Sequence, residues 1–129
     1  MTQNKTILVI DDEKGYRDFY KFILEPIGYT VSTASDGEEG LKMALEHNYD
    51  LILLDVHMPK MRGPEVLTAI KKEKPNQTVV IFSSSSDPTF SFENTAKEMG
   101  AFDCLYKPID LEDILAVMAR ATPVSGDNK

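Results

Sequence analysis

The sequence has a single cysteine, Cys104, so an internal disulfide is excluded. Long apolar runs are missing too: nothing approaches the roughly 20 residues that a membrane-spanning helix needs. Basic residues are the minority, with 14 Lys and Arg against 21 Asp and Glu and a net charge of -7. They are scattered, without a stripe able to neutralise phosphates along a duplex, so direct nucleic-acid binding by this segment is not expected. Met1 to Lys5 are polar and lack the apolar stretch of a secretory signal, and they read as a short leader kept in the mature chain. The expectation is a cytoplasmic protein that engages no membrane.

What is present is an ordinary globular balance, 42% hydrophobic against 27% charged, which fits neither a disordered nor a fibrous chain. With 129 residues, one domain around one core is expected. Five apolar runs, most of them with β-branched residues, read as strands: Thr6 to Ile10, Thr30 to Ala34, Leu51 to Leu54, Thr78 to Phe82 and Cys104 to Tyr106. Between them the apolar residues keep helical spacing. Phe19, Tyr20, Ile23 and Leu24 share one face, as do Leu41, Ala44 and Leu45, and then Val66, Leu67 and Ile70. A fourth helix is expected over Glu93 to Met99, stopping at Gly100, a residue suited to a left-handed cap. A fifth is expected from Leu111 to Ala121, with Ile114, Leu115 and Met118 on its apolar face. Gly28 and Gly37 punctuate the region of the second strand, and Pro75 with Asn76 breaks the chain before the fourth.

Strict βα alternation with short connections implies a parallel sheet covered on both faces, a doubly wound α/β sandwich. Such sheets bind ligands beyond the carboxyl ends of their strands. The residues that end the strands here are Asp11 and Asp12, Asp55, Ser83 and Lys107. Three carboxylates on one rim raise one another's pKa and resist full ionisation. Asp11, Asp12 and Asp55 count -3 and Lys107 +1, leaving -2, which a hard divalent cation balances. Magnesium fits, because it prefers oxygen ligands and binds through one or two carboxylates plus phosphate oxygens. A phosphoryl group is thereby implied. Asp55 closes a buried strand and suits a nucleophile that would form an aspartyl phosphate, with metal and lysine stabilising the transferred oxygens and Ser83 donating a hydrogen bond.

The set Asp11-Asp12-Glu13, then Asp55 followed by Met58-Pro59-Lys60-Met61-Arg62-Gly63, then Lys107-Pro108 resembles the receiver domain of two-component response regulators, chemotaxis regulators among them. The resemblance spans about residues 5 to 121, each motif at the matching strand end. It implies a flavodoxin-like sandwich, a five-stranded parallel sheet in the order 2-1-3-4-5 with five helices, and a domain over residues 1–121 followed by a polar tail or linker start over 122–129. It further implies that Asp55 takes a phosphoryl group from a phosphohistidine on a sensor histidine kinase or phosphotransfer protein. Asp12 would bind Mg2+ directly and Asp11 through a water, and His57 would offer its backbone carbonyl to the metal. Ser83 would follow the phosphoryl group, Lys107 would pair with it, and Pro108 would be a cis-linked proline that aims the lysine. The domain would catalyse only its own phosphorylation and dephosphorylation, as a monomer or weak homodimer.

Two departures stand out. Ser83 lies 28 residues after Asp55, as the resemblance requires, but 24 before Lys107, about two more than it does; Ser85 would satisfy the second interval. Ser83 is preferred, because strand ends fix geometry and loops absorb insertions. Cys104 stands where the family commonly has Tyr or Phe, so the usual coupling of hydroxyl to inward-turning ring is altered.

Each residue also has a plainer explanation. Asp12 or Glu13 would favour a helix N-terminus, Asp55 a turn, and Lys107 the surface. Only their joint placement at strand ends outweighs this. His47 and the His57 imidazole read as surface groups, Met58 and Met61 as packing at the mouth of the site, and Cys104 as an inert buried thiol. Phe90 and Phe92 read as core or as a partner surface. Among rivals, an aspartate-nucleophile phosphatase would put its general acid where His57 stands and would need a cap domain. A flavodoxin would need a phosphate-cradling loop in place of Asp11-Asp12-Glu13. The alternative kept is a receiver-like adaptor that binds a partner without phosphorylation, which the complete set Asp11, Asp12, Asp55 and Lys107 opposes.

Overall fold

The computed structural model describes residues 5–56, 58, 61–84 and 97–122. Its five strands are β1 (Lys5–Ile10), β2 (Tyr29–Ala34), β3 (Leu51–Asp55), β4 (Val79–Ser84) and β5 (Asp103–Lys107), and its four helices are α1 (Lys14–Leu24), α2 (Gly37–Glu46), α3 (Gly63–Glu73) and α4 (Leu111–Ala121). All strand pairs are parallel and the order is 2-1-3-4-5, as the resemblance implied. The fourth of the five expected helices falls mostly outside the described residues, together with Ser85, Phe90 and Phe92. Lys97 and Glu98 at its end are helical, and Gly100 follows at φ 103°, in the left-handed region. Among the described residues no helix is long and apolar enough to cross a membrane.

Strand alternation divides the core into two layers. Leu8, Ile10, Ile52, Leu54, Val79 and Ile81 face α2 and α3, meeting Ala44, Val66, Leu67 and Ile70. Ile7, Val9, Leu51, Leu53, Val80 and Phe82 face α1 and α4, meeting Tyr20, Leu24, Ile114, Val117 and Met118. Because both faces are covered, the central strands carry unbroken apolar runs, which is what made them readable. Two residues expected on buried helical faces lie at their margins: Leu45 is 39% exposed and Leu115 37%, whereas Val117 is fully buried. An apolar stripe about 100° wide admits either neighbour at its edge, and the packing of α4 selects Ile114, Val117 and Met118.

The helices start where side chains satisfy orphan backbone donors. Asp36 caps α2 by accepting from the Glu39 amide at 2.8 Å, while Glu39 accepts from the Ser35 amide at 2.8 Å. At α3, the Glu65 carboxylate accepts from the Arg62 amide at 3.0 Å. A short 3-10 turn, Glu25–Ile27, follows α1 and ends at Gly28, whose φ of 110° suits glycine.

Candidate functional site

Carrying the alternation to the carboxyl ends of the strands sorts the polar residues. Asp11 continues the parity of Ile7 and Val9, Asp55 that of Leu51 and Leu53, and Lys107 that of Leu105, so all three reach the rim on the α1 and α4 side. Ser83 shares the opposite parity with Ile81. It follows Phe82, which is Asp55's register partner across β3 and β4.

Side-chain contacts tie this rim together. The Lys107 ammonium donates to Asp11 Oδ2 at 2.8 Å, lies 3.3 Å from Asp55 Oδ1 and 3.5 Å from Glu13 Oε1. The Lys107 side chain is only 9% exposed. Asp11 and Asp55 are buried at 1% and 4% exposure, and Asp12 is exposed. Asp11 Oδ1 also accepts from the Glu13 amide at 2.9 Å, which orients the carboxylate as the chain turns into α1. Arg17 adds a fixed cation, its Nη1 donating to the Asp11 carbonyl oxygen at 2.7 Å. The Lys107-Pro108 peptide is cis, as expected. Ser83 is buried one residue before the end of β4, and Met58 is buried while Met61 is half-buried. His57 lies outside the described residues. Cys104 is buried on the α2 and α3 side and takes part in no disulfide.

Electrostatics follow from burial. Burial first, then the neighbouring Asp11 charge, pushes the Asp55 carboxyl up to about 7, against the opposing pull of Lys107. Burial likewise raises Asp11, with its hydrogen bond to Lys107 working the other way. For Lys107 burial disfavours the charge, but the Asp11 hydrogen bond and the Asp55 and Asp11 charges prevail, so its pKa is raised. The rim is thus short of positive charge even with its lysine in place. One ligand atom from each of Asp11, Asp12 and Asp55 lies within 4.8 Å of the others. Three carboxylates, two of them buried, form the all-oxygen donor set that a hard divalent ion prefers.

Sequence reasoning identified the acidic and basic members because each ends a strand. It missed Tyr16, whose ring centroid lies 4.0 Å from the Lys107 ammonium. The one available signal is position: Tyr16 stands five residues after Asp11, on the first turn of α1 above the same rim.

Comparison with known proteins agrees with this fold. The profile of the response regulator receiver domain family matches residues 7–119. Response regulator ArlR of Staphylococcus aureus is 36% identical over 117 residues, a match covering 90% of this chain and 50% of that protein. The chain therefore spans about half the length of the curated relatives it matches. Among solved structures, a response regulator receiver domain protein from Clostridium thermocellum superposes with a TM-score of 0.82 at 36% identity, covering 91% of this chain and 93% of that one. The Francisella response regulator 1452 receiver domain gives 0.83 at 29%, with 92% and 96% covered. Vibrio cholerae chemotaxis protein CheY4 gives 0.81 at 29%, with 92% and 99% covered. Motifs, strand order, rim geometry and relatives agree, and the chain belongs to the response regulator receiver domain family.

Proposed function

We propose that this receiver domain accepts a phosphoryl group on Asp55 from a phosphohistidine on a sensor histidine kinase or histidine phosphotransfer protein, in a Mg2+-dependent reaction. The observation that carries the reading is Lys107, buried between Asp11 at 2.8 Å and Asp55 at 3.3 Å, beside a third carboxylate. Asp11, Asp12 and Asp55 would hold the ion, with the His57 carbonyl as a further ligand. When bound, the ion supplies Lewis-acid charge neutralisation that lets an anionic carboxylate approach an anionic phosphoryl group.

The chain's own residues do the rest. An Asp55 carboxylate oxygen attacks phosphorus, the bond from phosphorus to the donor imidazole nitrogen breaks, and the departing imidazole takes up a proton. Lys107 moves its hydrogen bonding from the bare carboxylates toward the phosphoryl oxygens. Ser83 donates its hydroxyl to one of them, which links the event to β4. The added charge biases a two-state surface around the segment before β5 and β5 itself. The domain turns over no metabolite and catalyses only its own phosphorylation and hydrolysis. The receiver unit is residues 1–121, with 122–129 a polar tail or linker start, in a cytoplasmic protein that is a monomer or weak homodimer.

Intact mass after incubation with acetyl phosphate tests this. A Mg2+-dependent gain of one phosphoryl group, abolished by Asp55→Asn, is expected. A protein that binds Mg2+ yet gains nothing would be a phosphorylation-independent adaptor instead.

A further inference from the structure

We propose that Tyr16 is a positioning residue for the phosphoryl-transfer site, holding the Lys107 ammonium against its ring face and keeping it available to both Asp55 and Asp11. This rests on the phosphoacceptor reading of Asp55. The ammonium lies 4.0 Å from the Tyr16 ring centroid, inside the range of a cation–π contact. On its other sides stand Asp11 at 2.8 Å, Asp55 at 3.3 Å and Glu13 at 3.5 Å. Glu13 is 61% exposed and sits at the mouth. A lysine drawn to it would leave the site.

The ring opposes that departure in two ways. Its negative face attracts the ammonium, and its bulk removes water from that side, so the Lys107 side chain is only 9% exposed. The contact is also non-directional. A hydrogen-bond acceptor at the same place would tether the ammonium to one geometry, whereas a ring face lets it slide from Asp11 toward an arriving phosphoryl group without losing its partner. Tyr16 is itself braced: its ring lies 6.2 Å from that of Tyr20, which is fully buried and stacks on Phe82 at 5.5 Å. Phe82 is the register partner of Asp55 across β3 and β4, so the lysine, the rings and the strand that carries Asp55 rest on one packed unit.

The experiment measures the rate of Asp55 phosphorylation by acetyl phosphate with Mg2+ in wild type, Tyr16→Phe, Tyr16→Leu and Tyr16→Met, and with phenylalanines bearing one, two and three ring fluorines at this position. Tyr16→Phe keeps the ring face and should react within about twofold of wild type, while Tyr16→Leu and Tyr16→Met should be slowed about five- to thirtyfold. Rates should fall stepwise with fluorination, which weakens the ring face at nearly constant shape. The Lys107 ε-methylene protons should show an upfield ring-current shift in wild type and Tyr16→Phe that the aliphatic variants lose. Wild-type rates in Tyr16→Leu and Tyr16→Met, or a flat fluorine series, would overturn the positioning role and leave the phosphoacceptor intact. A wild-type protein that gains no phosphoryl group would overturn both.

Discussion

At the residue scale, the two most telling side chains are an acid that resists ionisation and a buried hydroxyl with no partner among the described residues. Asp55 has its pKa pushed up to about 7 by burial and by Asp11. In an unfolded chain it would titrate near its ordinary value of 3.8. Between those values the folded state binds the extra proton, so the stability Asp55 contributes below the unfolded value is lost as pH rises through the folded one. Metal-free protein should therefore lose stability from this group between about pH 4 and 7, on the order of a few kcal/mol. Asp55→Asn should be flatter in this window and more stable than wild type at pH 8, as thermal melts in a chelator would show. Tyr20 is the second case. Its hydroxyl is buried and finds no hydrogen-bond partner among the described residues, although its ring stacks on Phe82. A buried unsatisfied polar group costs about 1–3 kcal/mol, and Phe keeps the ring. Tyr20→Phe should thus raise stability by about 1 kcal/mol in urea titrations, whereas a loss would mean that the hydroxyl has a partner in solution.

At the element scale, the loop after β3 must return to start α3 within a few residues of Asp55, and Gly63 makes that possible. A Cβ there would meet the Asp55 carbonyl oxygen at 2.6 Å and Val56 Cα at 2.7 Å, both backbone atoms that cannot swing aside. The Gly63 amide meanwhile donates to the Val56 carbonyl at 2.9 Å. Gly63→Ala should cost about 1–3 kcal/mol, as overpacking does, and should slow Asp55 phosphorylation because α3 is pushed off the rim. A substitution neutral in both melting and phosphorylation would refute this. The same scale explains what could be read in advance. Strands buried on both sides announce themselves as apolar runs, so every strand was found. Their ends were less legible: β4 closes at Ser84 and β5 at Lys107, because backbone pairing continues past the apolar residues into polar ones. That Asp11, Asp55 and Lys107 meet on one rim was legible because apolar runs mark where parallel strands stop. Tyr16 was not, since an aromatic on the first turn of an amphipathic helix looks like any core residue until the lysine is seen beneath it. Cys104 was read correctly as buried, its place in β5 being set by alternation alone.

At the scale of the whole molecule, the net charge of -7 means that any salt will raise stability somewhat, so a specific ion has to be distinguished from screening. Under the Mg2+ reading proposed above, protons and the ion would compete for the same oxygens at Asp11 and Asp55. At low pH, binding must first displace the proton that burial keeps on Asp55; at high pH the carboxylates are ionised and only partly compensated by Lys107. A ligand that binds only the folded state stabilises it by RT ln(1 + [L]/Kd), about 2.7 kcal/mol at a hundredfold excess over Kd. Mg2+ should consequently raise the melting temperature more at pH 8 than at pH 5.5, by roughly 3–6 °C per kcal/mol in a domain of this size. Asp55→Asn should show a smaller rise, and NaCl at matched ionic strength should not reproduce the pH dependence. Equal shifts at both pH values, or the same shifts with NaCl, would mean that the ion merely screens the surface and that the three carboxylates do not gather it.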